Sequence, residues 1–215
     1  MIKSLVDLRG SFGPARDQDP RPTCMAFAAS DAHAAARAGW DPLSAEWAYY
    51  HALKRDGGLP DDGATLDAML AAIKSDGQPV EAGWPYIKAP ITNVKSWKPP
   101  VPAKQLFYRD HKVCSVSMQD VIEQLNANTP VLITMTLSDA FYLPDAHGIV
   151  ERNEPTDPKR HHAIVAVGHG ERSKNQYVLI RNSWGDAWGL KGHAWIAINY
   201  LTPRLTGAAI MTTEP

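Results

Sequence analysis

Cys24 stands in the stretch DQDPRPTCMAFAAS, behind two prolines and a threonine and at the head of an alanine-rich run. At the first turn of a helix a cysteine faces unpaired backbone N–H groups with partial positive charge. That field favours the nucleophilic thiolate over the thiol. The plain alternative is a small apolar residue packed into a helix start, as most free cysteines are. Three features favour a nucleophile. Gln18, six residues upstream, carries a side-chain amide that can donate to an oxyanion beside the Cys24 N–H. HHAIVAVGHG opens a β-rich segment with His161 and His162. IRNSWGDAWGLKGHAW sets Asn182 at a strand end, ahead of Trp184, Trp188 and three glycines. A thiol nucleophile needs a general base and a side chain that orients the base, and a histidine and an asparagine can supply both. Adjacent strand residues face opposite sides, so at most one of His161 and His162 can face Cys24. His33, His51, His111, His147, His169 and His193 lack such a context and read as surface or packing residues.

The elements that must position these residues fall into two halves. Helices are expected over CMAFAASDAHAAARAG after Thr23, over LSAEWAYYHALKRDG from Ser44, and over ATLDAMLAAIKSDG from Thr65, closing at Gly39, Gly57 and Gly77. The proline-rich YIKAPITNVKSWKPPVPAKQ reads as a surface crossover. Beyond it LFYRDHKVCSV, PVLITMTL, HHAIVAVGHG, QYVLIRNSWG and GHAWIAINYL are short and β-rich. One helix, MQDVIEQLNAN, interrupts them, with Ser117 and Asp120 in a capping-box pattern. A helical lobe followed by a β lobe suits a binding cleft between the two.

A chain of 215 residues can bury a sizeable core as one large domain or two packed lobes. The formal net charge of -1 gives no footprint for nucleic acid or an anionic membrane. No stretch approaches the roughly 20 apolar residues a bilayer requires, and MIKSLVDLRG has no apolar core for a secretory signal. Two cysteines cannot build a disulfide framework, which points to a reducing, cytoplasmic setting.

Together these segments resemble the papain-like cysteine peptidases. The family's nucleophile segment is matched by QDPRPTCMAF, its base segment by HAIVAVGHG, and its asparagine segment by NSWGDAWG. His162 and Asn182 follow Cys24 by roughly 140 and 160 residues, about the family's distance. VDLRGSFGPARDQ looks like the family's mature N-terminus and EAGWPY like its Pro-Tyr segment, so the resemblance covers nearly the whole chain. It implies an α+β, two-lobe fold: a helical lobe over about 11–105, a β-barrel-like lobe over about 106–215, the cleft between them, and residues 1–10 crossing to the β lobe. It selects His162, the histidine immediately before Ala163, as the base. It implies peptide-bond hydrolysis by a Cys24–His162 thiolate–imidazolium pair. Asn182 would orient His162, Gln18 and the Cys24 N–H would hold the oxyanion, and Trp184 would shield the His–Asn bond on the leaving-group side. By the same resemblance Asp62, Gly63, Thr134 and Ala163 border the substrate groove, with Gly57 and Gly58 a competing choice for its wall. No metal or cofactor is implied, and the expected partner is a peptide or protein substrate.

The sequence departs from the family in places. Arg21 stands where most secreted members have a disulfide cysteine, Pro22 replaces a glycine and Met25 an aromatic residue. Mature-like sequence begins almost at Met1, so either this sequence starts at the mature domain or a bacterial-type member without a prosegment is expected, restrained by narrow specificity, by a regulatory or operon partner, or by excision from a larger protein. PDAHGIVERNEPTDPKRH is expected either to narrow the cleft or to be a solvated loop. Two other classes stay open: an acyl transferase in which an amine replaces water, and a catalytically silent binding homologue.

Overall fold

Cys24 opens the first helix, α1 (Cys24–Ala35), whose residues 25–34 are all buried, as in a helix enclosed on every side. The structure is a computed structural model that describes residues 1–37, 39–101, 105–152 and 154–213. α1 ends at Ala35 with Ala36 as its C-cap, short of the expected closure at Gly39, and parts of the crossover and of the 144–161 segment touch residues outside this set. Thr23 does not cap α1 with its side chain; its hydroxyl pairs with the Tyr86 hydroxyl at 2.9 Å. The next two helices start as expected. Ser44 Oγ accepts from the Trp47 N–H (3.0 Å) at the head of α2 (Ala45–Asp56), and Thr65 Oγ1 from the Ala68 N–H (3.2 Å) at the head of α3 (Leu66–Asp76). Each such cap contributes about 1 kcal/mol.

The remaining elements are β1 (Lys3–Asp7), β2 (His111–Val113), α4 (Met118–Asn126), β3 (Val131–Leu137), α5 (Asp139–Tyr142), β4 (Ile149–Val150), β5 (Asp157–Arg172), β6 (Asn175–Arg181), β7 (His193–Ala197), α6 (Ile198–Leu201) and β8 (Leu205–Met211). They form one sheet in the order β2-β8-β3-β5-β6-β7-β4, with β1 added to β5. The expected barrel does not close: the path ends at β2 and β4, which have three and two residues, too little ladder to join the ends. At α4, Ser117 Oγ accepts from the Gln119 N–H, but Asp120 reaches the Ser115 N–H, so no reciprocal box forms.

β5 organises the sheet, because it pairs with β1, β3 and β6. Its glycines have a steric reason. A Cβ at Gly168 would lie 2.3 Å from the Val6 carbonyl oxygen, and one at Gly170 2.5 Å from that of Lys3, so β1 can approach only glycine there. Alternation along β5 splits the core. Ala163, Val165 and Val167 face α1, α2 and α3, while Ile164 and Ala166 face the second cluster with Phe141, Trp188 and Tyr200. The crossover is not merely superficial: Trp97 is buried in the helical core. Residues 157–161 extend β5 rather than forming a solvated loop.

Candidate active site

α1 and β5 bring the nucleophile and base segments together. Cys24 is half-buried, and its thiol lies against three backbone N–H groups, those of Ala163, Met25 and Cys24 itself. Burial pushes the thiol up from its ordinary range, and the three N–H groups pull it down by less. The helix start therefore acts in the expected direction but does not dominate for the lone thiol. Ala163 follows His162 directly, so this contact fixes Cys24 beside the base.

His162 is buried and its neighbour His161 is exposed, as strand alternation requires. His162 Nε2 lies 2.7 Å from Asn182 Oδ1. An amide oxygen only accepts, so Nε2 carries a proton and Nδ1 is left with the basic lone pair. Burial lowers the His162 pKa to about 4, against a smaller upward effect of the Asn182 bond. Asn182 is itself fixed: its N–H donates to the Gly192 carbonyl at 2.9 Å, and its Oδ1 also accepts from the Ser183 N–H. The Trp184 ring lies 4.7 Å from the His162 ring and stacks on Tyr142 at 5.1 Å, with Phe141 edge-on to both Trp184 and His162. That cage limits water around the His162–Asn182 bond, which strengthens it.

Gln18 sits in the irregular loop before α1, only 7% exposed. Its Nε2 donates to the Arg21 carbonyl (2.9 Å) and its Oε1 accepts from Ser183 Oγ (2.7 Å). One N–H of the amide is thus used and the other is available to a substrate oxygen.

Residues 54–211 match the profile of the family described as "Papain family cysteine protease", more than half of the chain. The chain belongs to this family. The match leaves Gln18 and Cys24 outside it, so their assignment rests on the geometry above and on QDPRPTCMAF. A cysteine proteinase of Entamoeba histolytica is 27% identical over 89% of this chain and 62% of its own length, and a cathepsin L-like proteinase of Fasciola hepatica 23% identical over 64% and 41%. The chain thus spans less than two thirds of the length of these curated relatives. Xylellain, a cysteine protease from Xylella fastidiosa, superposes with TM-score 0.82 at 19% identity, covering 99% of this chain and 87% of that one. Bromelain from Ananas comosus, solved with an inhibitor, gives 0.76 at 21% identity over 97% and 98%.

Within this papain-family fold, Thr134 and Ala163 are paired across β3 and β5 and share a face. Gly207 on β8 completes that patch: it pairs with Thr134, and a Cβ there would meet Thr134 Oγ1 at 2.7 Å and Leu66 Cδ2 at 3.2 Å. Nothing in the sequence around Gly207 had marked it. Asp62 and Gly63 lie on the exposed turn leading to Leu66. The Asp62 carbonyl accepts from the Tyr49 hydroxyl and its carboxylate from the Leu59 N–H, while the Gly63 α-carbon faces open space. Gly58 is backed by Leu53 and Asp62 behind that turn. Among the described residues no group of three His, Cys, Asp or Glu could hold a metal, and no helix is long and apolar enough to cross a membrane.

Proposed function

We propose that the chain is a cysteine peptidase in which Cys24 attacks the peptide carbonyl carbon. The observation that carries this is the set of two contacts on consecutive residues of β5: His162 Nε2 on Asn182 Oδ1 at 2.7 Å, and the Ala163 N–H on the Cys24 thiol. Burial disfavours either charge alone, so the thiolate and imidazolium arise together as the proton passes from Sγ to Nδ1, each offsetting the other. The C–S bond forms as the carbonyl π-pair moves to oxygen, where the Cys24 N–H and the free Gln18 N–H receive it. Collapse of the tetrahedral species breaks the C–N bond, and Nδ1–H protonates the leaving amine. Nδ1 then takes a proton from water, which cleaves the thioester, and the proton returns to sulfur.

The substrate in this reading is a peptide chosen narrowly by the patch of Thr134, Ala163, Gly207 and Leu66 on one side and by Trp184 and Tyr142 on the other. The family's groove wall is assigned to the Asp62–Gly63 backbone. Two free cysteines suit a reducing, cytoplasmic compartment. The test is digestion of a peptide library under reducing conditions, with products read by mass. Cleavage by the wild type that Cys24→Ala and His162→Ala both lose, while His161→Ala retains it, is expected. Amide ligation to added amines without hydrolysis would move the reading to acyl transfer, and cleavage that survives Cys24→Ala would end it.

A further inference from the structure

Arg21 does two things at once, three residues before the nucleophile. Its guanidinium, in a residue 2% exposed, forks onto the Glu46 carboxylate, Nη1 to Oε2 at 2.6 Å and Nη2 to Oε1 at 3.0 Å. Nη1 also donates to the Ile87 carbonyl at 2.5 Å, and the Tyr49 and Tyr86 rings flank the guanidinium carbon at 5.3 and 5.1 Å. Glu46, fully buried on α2, takes two further donors, Trp97 Nε1 (2.6 Å) and the Ile87 N–H (3.1 Å). The backbone carbonyl of the same Arg21 accepts from Gln18 Nε2 (2.9 Å) and from the Thr23 N–H (2.8 Å).

The loop carrying these groups has no regular structure of its own, and Asp19 is held at φ 51, a region unfavourable to a residue with a Cβ. Its shape must come from outside bonds, and the buried fork is the most rigid of those available. Tyr86 assists from the same side, its hydroxyl donating to the Gln18 carbonyl at 2.6 Å. On the opposite side Ser183 holds Gln18 Oε1. The amide plane is therefore fixed between Arg21 and Ser183.

We propose that the buried Arg21–Glu46 pair is a positioning device for the oxyanion donor: it fixes the Arg21 carbonyl, which holds one Gln18 N–H and so aims the other at the developing oxyanion. This rests on the peptidase reading above. A purely structural role would affect the whole fold. A positioning role acts on kcat and only through Gln18.

The variant Arg21→Met/Glu46→Gln removes both charges together and keeps an amide oxygen to accept from Trp97 Nε1. It is compared with wild type, Gln18→Ala and the combined variant. The expected result is a wild-type circular dichroism spectrum, kcat lowered about tenfold and KM changed less than about twofold. In the Gln18→Ala background the same pair of substitutions should change kcat by less than about twofold, the non-additivity of residues acting as a unit. Haloacetamide alkylation of Cys24, which forms no oxyanion, should be unchanged. Equal losses in both backgrounds, or slower alkylation, would overturn the proposal. A second arm needs no activity. In ¹⁵N-labelled protein the Gln18 side-chain amide proton bonded to the Arg21 carbonyl should exchange slowly in wild type and fast in Arg21→Lys, which keeps the charge and loses the fork. Unchanged exchange overturns the clamp even if that protein is active. A wild type that cleaves no peptide sinks only the peptidase reading, and the exchange arm then decides the clamp alone.

Discussion

The nucleophile side and the base side of the cleft are built by different physics. Around Cys24 the buried groups are ionic and polar. Arg21 pairs with Glu46. Asp31 on α1 takes Arg16 and, from β6, Arg181 Nε at 2.7 Å. Gln78 bonds His33 Nδ1, Ser30 Oγ and the Ser44 carbonyl. Around His162 stand Phe141 and Trp184, backed by Trp188 and Tyr142, and Asn182 supplies a side-chain hydrogen-bond partner. The difference follows from how each residue is presented. Cys24 comes from a loop entering a helix, where backbone groups have no ladder and buried side chains must satisfy them. His162 comes from the middle of a sheet, whose backbone is already paired, so ring packing and the single Asn182 bond suffice to hold it.

The contrast breaks most sharply at Asp31. Asp31→Leu removes the carboxylate and leaves the Arg181 guanidinium, 2% exposed, without its counter-charge, although Gly13 and Pro14 carbonyls still accept from it. The expected loss is about 3–5 kcal/mol in a denaturant titration. A loss below 1 kcal/mol would mean that the ionic side is no more fragile than the apolar one. Because Arg181 adjoins Asn182, the surviving folded fraction should also show a lower kcat.

Acid probes the same side. Burial, outweighing the Gln78 bond and aided by Arg109 and Arg37, lowers the His33 pKa to about 4. The unfolded chain takes up a proton near 6.5 and the folded chain does not until about 4. Stability is therefore complete above pH 6.5 and falls as pH drops toward 4, by about 3 kcal/mol from this residue. His162 titrates in the same window, so the reading is a difference. His33→Phe should flatten the stability–pH curve between 6.5 and 4 relative to wild type. An unchanged slope removes His33 as its source.

Much of the candidate site was legible because each proposed role demands a chemistry and sits in a local motif: Gln18 in QDPRPTC, His162 before Ala163, Asn182 in NSWG. What sustains it was not. Arg21 registered only as a departure, since it lies in a loop, its partner Glu46 is on α2, and no period reveals a long-range polar contact. Thr23 read as a cap, but its hydroxyl is drawn to Tyr86, from a segment distant in sequence. INYL read as strand because a short apolar run does not distinguish strand from helix. β8 went unread because LTGAAIM is rich in glycine and alanine, which carry little strand preference.

On the base side the expected losses are smaller. Phe141→Leu opens a limited cavity between Trp184 and Trp188 without orphaning any polar atom, and should cost about 1–2 kcal/mol in the same titration. A loss as large as that of Asp31→Leu would erase the distinction between the two sides.

The smallest effect is expected at Tyr142, where the apolar side meets solvent. Tyr142 is 42% exposed, stacks on Trp184 at 14° between ring planes, and carries Arg160 over its ring at 6.0 Å. Leu143 beside it is 81% exposed. Because Trp184 lies against His162, which protonates the leaving amine in the proposed reaction, this shelf would touch only the part of a peptide beyond the scissile bond. Tyr142→Ala should therefore lower kcat/KM for peptides with an aromatic or bulky apolar residue there by about 3–10-fold, the 0.5–1.5 kcal/mol of an aromatic contact. Fluorogenic amides, whose leaving group ends at the dye, should be cleaved at nearly the wild-type rate. An equal loss on both substrate types would place Tyr142 with the cage that holds His162 rather than with substrate choice. It would then share the apolar support role of Phe141.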